Sequence, residues 1–284
     1  MIVIADSGST KTEWCIVENG TISERIISKG INPYFESEDD IKREVKSVFE
    51  RFDFCSKIFA IYFYGAGCTP EKSDMVKYAI SNVIGGDTLI EIYSDLLGAA
   101  RALFGKDKGI ACILGTGSNS CYYNGEIIEK NISPLGFILG DEGSGAVIGK
   151  HFIGSLLKNQ FGEDFKKSFL SECNLSYEEI IDRVYRKPFP NRFLASLSPI
   201  ISKYISDKRV YSLILYCFKD FFRRNVMQYG YSNLKVAFIG SVAFYYKDIL
   251  IEAAKEFNIA IDKIESSPIK GLVEYHNTPL PNAD

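Results

Sequence analysis

Two short loops rich in glycine and hydroxyl residues occupy matching places in the chain. Asp6-Ser7-Gly8-Ser9-Thr10-Lys11-Thr12 follows the apolar run Met1 to Ala5, and Gly115-Thr116-Gly117-Ser118-Asn119 follows the apolar run Gly109 to Leu114. Small residues let backbone N–H groups approach phosphate oxygens, while the hydroxyls of Ser9, Thr10 and Thr116 and the Lys11 cation add donors. Either loop alone is equally readable as a hairpin turn that uses Gly and Ser for their conformations. The pair is more specific, because two such loops could clamp one triphosphate from opposite sides. Neither is a P-loop, since no G-x-x-x-x-G-K-[ST] occurs, and neither is a dinucleotide fingerprint, since no third glycine follows Gly117 at the required spacing.

The acids come next. Asp95 follows a strand-like run, Leu89 to Tyr93, and opens a helix-like one. It reads either as a helix cap shared with Ser94 or as a general base at a strand end, taking a proton from a substrate hydroxyl during phosphoryl transfer. Asp141-Glu142 sits among Gly140, Gly143 and Gly145, an unusual setting for a solvated surface loop, although a helix start at Asp141 explains it too. Gly240-Ser241 ends the run Lys235 to Ile239 where a helix begins, a place suited to a nucleotide or simply to close strand–helix packing. His151 and His276 are the only histidines and have no partners at ligand spacing, which argues against a Ser-His-Asp triad or a His-rich metal site.

The elements that must position these residues repeat. Strand, polar loop, strand and an Asn-Gly turn occur once up to Asn19-Gly20 and again up to Asn124-Gly125. An internal repeat of this kind predicts two similar α/β units, each presenting a hairpin loop at the mouth of a cleft. Between the hairpins, strands at Ile58 to Tyr64 and Leu89 to Tyr93 alternate with helical patterns at Glu38 to Phe52, Glu71 to Val83 and Asp95 to Phe104. That alternation predicts a mainly parallel sheet with ligands at the carboxyl ends of its strands. A long, mostly helical stretch runs from Val147 to Tyr229. The expected division is 1–107 and 108–265, with a C-terminal helix within 266–284 returning to the first unit.

Composition narrows the function. Thirty-three Lys and Arg against 36 Asp and Glu give a net charge of −3, with no basic field to gather nucleic acid or an anionic membrane. Seven cysteines, Cys15, Cys55, Cys68, Cys112, Cys121, Cys173 and Cys217, lie singly with no C-x-x-C pair, so zinc, iron–sulfur and dithiol chemistry are disfavoured and the cytosol is expected. The start of the chain has no secretory pattern, and no apolar run reaches membrane-spanning length. Nothing in the pattern fixes an oligomeric state, and a homodimer stays open.

Taken together, the loop Asp6 to Thr12, Leu114-Gly115-Thr116-Gly117-Ser118-Asn119, Gly140-Asp141-Glu142-Gly143-Ser144 and Ile239-Gly240-Ser241-Val242 resemble the N-acetylglucosamine kinases and their relatives in the BadF/BadG/BcrA/BcrD ATPase family. Order and spacing match over most of the chain. The resemblance implies two duplicated actin-like (ribonuclease H-like) domains closing over ATP, Mg²⁺ and a sugar. It implies that Ser9, Thr10, Lys11, Gly115 and Thr116 meet the phosphates and that Gly240 and Ser241 approach the adenosine. Asp6 would hold the Mg²⁺ water shell and Asp95 would be the base. Asn32, in Gly30-Ile31-Asn32-Pro33, would bind the sugar with Ser118, Asn119 and Asp141. The expected reaction is phosphorylation of an amino sugar, N-acetylglucosamine at its 6-hydroxyl first among them. The alternatives within the resemblance are an ATPase activator of a dehydratase, which needs paired cysteines for its cluster, and a silent sugar sensor.

Overall fold

The computed structural model describes residues 1–52, 58–230 and 233–277; Cys55 and the final stretch 278–284 of the expected tail helix lie outside them. Among the described residues, ten strands form two five-stranded sheets: β1 (Ile2–Ser7), β2 (Lys11–Glu18), β3 (Thr21–Lys29), β4 (Ala60–Gly65) and β5 (Leu89–Ser94), then β6 (Gly109–Leu114), β7 (Ser118–Tyr123), β8 (Ile128–Ile132), β9 (Val236–Ile239) and β10 (Ile261–Glu265). The first sheet has the order β3-β2-β1-β4-β5 and the second β10-β9-β6-β7-β8. Read from the antiparallel end, these are one topology used twice. In each, a hairpin (β1–β2, β6–β7) is followed by a third meander strand, and two later strands add in parallel on the other side.

Two compact units result. One comprises Met1–Asp107, Asn124–Ile128 and the described residues from Ser267 on; the other comprises Lys108–Tyr123 and Glu129–Ser266. Local sequence explains the elements of each. In the first, β1 is buried on both faces as a central strand must be, and β3 alternates as an edge strand does. The helix Glu38–Phe49 starts at a Ser37/Asp40 capping box and buries Ile41, Val45, Val48 and Phe49, a single stripe at helical spacing. That stripe meets Trp14, whose ring lies 5.7 Å from Phe49 and 5.5 Å from Phe63 and whose Nε1 donates to Ser28 Oγ. In the second unit, the helix Lys208–Arg224 buries Val210, Ile214, Cys217, Phe218, Phe221 and Phe222 against Phe238 of β9 and the helix Gly145–Leu157. Each such aromatic contributes about 1.5–3 kcal/mol relative to exposure.

The sequence expectations for β1, β2, β4, β5, β6 and β9 are met within one or two residues, while β7 starts at Ser118, three residues before the expected Cys121, and so takes in Ser118 and Asn119 from the expected loop. β3, β8 and β10 were not anticipated, because their mostly polar, part-exposed sequences carry little apolar signal. The tail helix runs Ile269–Asn277 rather than from Ser266, since β10 extends to Glu265.

Candidate functional site

Register sets the first group of residues. Ser7, Gly65 and Ser94 are aligned across β1, β4 and β5, so the chain leaves all three parallel strands at one level. Asp6 stands one residue before that level and Asp95 one after. Ser94 is the N-cap of the helix Asp95–Phe104, its hydroxyl accepting from Leu97 N–H, so the capping role falls on Ser94. Asp95 Oδ1 accepts the adjacent Leu96 N–H, at 2.8 Å. Both acids are half-buried. Burial, then the charges of Asp95 and Glu13, push the Asp6 carboxyl up to about 7 against a smaller opposing pull from Lys11. Burial likewise pushes Asp95 up to about 6, with the backbone N–H bonds opposing it.

Around them, the loop between β1 and β2 is braced by its own hydroxyls. Ser7 Oγ and Thr12 Oγ1, both fully buried, lie 2.7 Å apart. Ser7 donates to Ile31 O and accepts from Ile31 N–H, and Thr12 donates to Lys29 O. This holds Gly30-Ile31-Asn32 against the hairpin so closely that a Cβ at Gly30 would meet Gly8 O at 2.3 Å. Asn32 is buried; its backbone N–H donates to Glu36 and its Oδ1 accepts from Tyr34 N–H at 3.0 Å. The carboxamide oxygen is thereby fixed inward and the Nδ2 donors have no acceptor among the described residues. Gly67, at φ +78°, leaves the space for Asn32. Ser9 is part-exposed, and Thr10 and Lys11 are exposed.

The second unit carries the other group. Gly115 and Thr116 accept through their carbonyls from Gly145 and Ala146 N–H, so the Gly-Thr-Gly loop is clipped to the first turn of the helix Gly145–Leu157, which Ser144 caps. Asp141 takes a left-handed φ of +54°, closed by its N–H to Pro134 O, and its Oδ1 accepts from Ser118 N–H at 3.2 Å. Burial, and secondarily Glu142, push Asp141 up to about 6, against the Ser118 bond and Lys150. Glu142 is buried and structural in its contacts: Arg224 Nη1 at 2.5 Å and Asn225 Nδ2 at 3.2 Å. Gly240, at φ +123°, lies so near β6 that a Cβ would meet Leu114 O at 2.3 Å; Ser241 beside it is exposed.

Gly8 and Gly115 differ from these packed glycines. Neither has a left-handed φ, and a Cβ would meet only Lys11 O at 3.8 Å in the first and nothing within 4 Å in the second. Conformation and packing therefore do not explain glycine at either equivalent hairpin tip, whereas close approach of a ligand would. Within each unit the named residues come together: Asp6, Asn32 and Asp95 in the first, Gly115, Thr116, Ser118 and Asp141 in the second. Sequence reading named Ser7 and Thr12 only as members of the hairpin loop and not as its braces, and missed Asn131, whose partner Asn119 lies on another strand.

Strand topology used twice, hairpin tips with unexplained glycines and raised-pKa acids at parallel strand ends define a mixed α/β chain of the actin-like ATPase and sugar-kinase type. A candidate N-acetylglucosamine kinase from Porphyromonas gingivalis has 49% identity and a TM-score of 0.94, with 98% of this chain and 99% of that one covered. The chain belongs to the N-acetylglucosamine kinase family. An N-acetylmuramic acid/N-acetylglucosamine kinase of Clostridium acetobutylicum is 28% identical over 236 residues, 75% of this chain and 74% of that protein. A candidate N-acetylglucosamine kinase from Chromobacterium violaceum shares the fold at TM-score 0.70 and 16% identity, over 97% and 99% of the two chains. No family model matches the chain. No helix among the described residues is long and apolar enough to cross a membrane.

Proposed function

We propose that this protein is an ATP-dependent kinase of an N-acetylated amino sugar, transferring the γ-phosphoryl group to the 6-hydroxyl of N-acetylglucosamine in the cytosol. The observation that carries the reading is Asp95: a carboxyl bonded locally to the backbone at its own helix start, at the end of a parallel strand, with its pKa raised by burial to about 6. Such a group is ionised at neutral pH and still basic enough to take a hydroxyl proton. The names of the Porphyromonas gingivalis and Clostridium acetobutylicum relatives favour a sugar acceptor over the activator and sensor readings.

The residues fit Mg²⁺-ATP. Asp6 and Asp95 raise their own charge problem in the protein alone, and a divalent cation relieves such a pair; Mg²⁺ commonly takes one or two carboxylates and otherwise phosphates and water. The glycines at both hairpin tips leave room for phosphate oxygens. Asp6 would hold the metal's water shell; Ser9, Thr10, Lys11, Gly115 and Thr116 the phosphates; Gly240 and Ser241 the adenosine. Bound Mg²⁺-ATP supplies the transferred group and neutralises the charge that develops on it. Asn32, Ser118, Asn119 and Asp141 orient the sugar, and Asp95 accepts the proton of the attacking hydroxyl. Positioning of this kind is worth more than any single proton transfer.

The test is ADP release with Mg²⁺-ATP over N-acetylglucosamine, N-acetylmuramic acid, N-acetylmannosamine, glucosamine and glucose, for the wild type and Asp95→Asn. Turnover that depends on N-acetylglucosamine and falls at least about a thousandfold in the variant is expected. Absence of turnover with every sugar would overturn the kinase reading.

A further inference from the structure

We infer that Asn131 is a positioning residue that fixes which way the carboxamide of Asn119 faces, so that position 119 offers N–H donors to an oxygen of the sugar. The inference rests on the reading of Asn119 as a sugar contact.

Asn119 lies on β7 and Asn131 on the neighbouring β8. Asn119 Oδ1 accepts from Ser120 N–H at 2.9 Å and from Asn131 Nδ2 at 2.9 Å, which uses both of its lone pairs. The orientation of Asn131 is itself determined, because its Nδ2 also faces two backbone carbonyls, Ser120 O at 2.7 Å and Ile132 O at 3.2 Å. Turning the Asn131 amide over would bring its oxygen against three others. The surrounding backbone is tied down by Tyr229: its hydroxyl donates to Ser120 O at 2.9 Å and accepts from Ile132 N–H at 2.8 Å. Fixed carbonyls thus orient Asn131, and Asn131 orients Asn119.

What remains of Asn119 is its Nδ2, which has no acceptor among the described residues. Asn32 in the first unit is set the same way, with Oδ1 occupied by Tyr34 N–H. The asparagines therefore present donors, and Asp95 and Asp141 present acceptors. A donor at position 119 matches a hydroxyl oxygen or an acyl carbonyl and is mismatched to the ammonium of a free amino sugar. A site built to hydrogen-bond one polarity rejects the other, because the mismatch leaves a polar group without a partner.

Asn131→Asp replaces the inward donor by an acceptor, which sets an oxygen against Asn119 Oδ1 and frees that carboxamide to turn its Oδ1 toward the sugar. With N-acetylglucosamine as the probe, this variant is expected to raise the sugar KM about tenfold, leaving kcat within about threefold and the ATP KM unchanged. In an Asn119→Ala background the same substitution is expected to add nothing further. Asn131→Ala, which removes the lock without inverting it, is expected to raise KM less, and it carries the same cycle if Asn131→Asp fails to fold. A sugar KM that rises in Asn119→Ala but not in either Asn131 variant overturns the inference alone. So does an Asn131 effect of equal size in both backgrounds, the mark of a structural role. An unchanged KM in Asn119→Ala overturns the reading of Asn119 as a sugar contact and this inference with it.

Discussion

Burying Asp95 costs stability in the form that catalysis needs. A carboxyl whose pKa is higher folded than unfolded binds more protons in the folded state, so stability falls as pH rises from about 4, where the unfolded group titrates, to about 6, where the folded one does. Asp95→Asn keeps an oxygen to accept Leu96 N–H and carries no charge. We expect the variant to gain about 2–4 °C in Tm at pH 7.5 and none at pH 4, while losing turnover. Scanning calorimetry at the two pH values checks this; an equal gain at both would mean that charge is not the cause. For the wild type, kcat/KM should fall tenfold per unit of acidification below about pH 6. Among single residues, the settings of Asp95 and Asp141 were legible because an acid at a strand end or among glycines is a local pattern. Asn131 and Arg224 were not, since Asn131 orients a residue on another strand and Arg224 pairs with Glu142 from the end of a distant helix.

Elements set the glycines apart into two kinds, and substitution should separate them. At Gly240 the left-handed φ and the 2.3 Å approach to Leu114 O both forbid a side chain, so Gly240→Ala must displace the end of β9 from β6. At Gly115 nothing in the protein opposes a Cβ. Gly115→Ala is therefore expected to melt within about 2 °C of the wild type and to raise the ATP KM about tenfold or more. Gly240→Ala should lose Tm whether or not ATP binding is measured. Equal and unaltered ATP KM values in Gly115→Ala and wild type would remove the phosphate role from that hairpin tip. The hairpins themselves were readable from turn chemistry and flanking apolar runs, which act over a few residues. The repeat was readable, but the expected mainly parallel sheet is a mixed one in each unit, because the hairpins β1–β2 and β6–β7 are antiparallel parts of the sheets themselves; the edge strands β3, β8 and β10 escaped because edge strands need few apolar residues. The helical region from Val147 to Tyr229 was visible as helix, but its packing depends on contacts such as Gly149 against Leu194, which no local pattern marks.

At the scale of the whole molecule, the chain ends its described course by returning to the unit where it began. The helix Ile269–Asn277 buries Ile269, Leu272 and Val273 with Ile4, Cys15, Val17 and Tyr64, and Gly271 approaches Ala102 O so closely that a Cβ would stand 2.2 Å from it. His276 completes the contact, its ring 3.7 Å from that of Tyr62 and its Nε2 2.8 Å from Tyr64 Oη. Tyr64 Oη already accepts from Arg101 Nη1, so its own proton points at His276, which accepts as neutral imidazole. Burial, then the Arg101 and Lys106 charges, hold His276 down to about 4. A base depressed in this way binds fewer protons folded than unfolded between about pH 4 and the ordinary histidine value near 6.5, so its contribution is full above that window and lost as pH falls through it. His276→Gln cannot charge in either state. The wild type should therefore exceed the variant in Tm by on the order of 3 °C at pH 7.5, and the gap should close toward pH 4. Because Asp6 and Asp95 act with the opposite sign over an overlapping range, the wild-type profile alone would mask the effect; the difference between the two proteins isolates it. A gap that stays constant from pH 7.5 to pH 4 would show that His276 holds the terminal helix by packing alone, without the proton-linked contact to Tyr64.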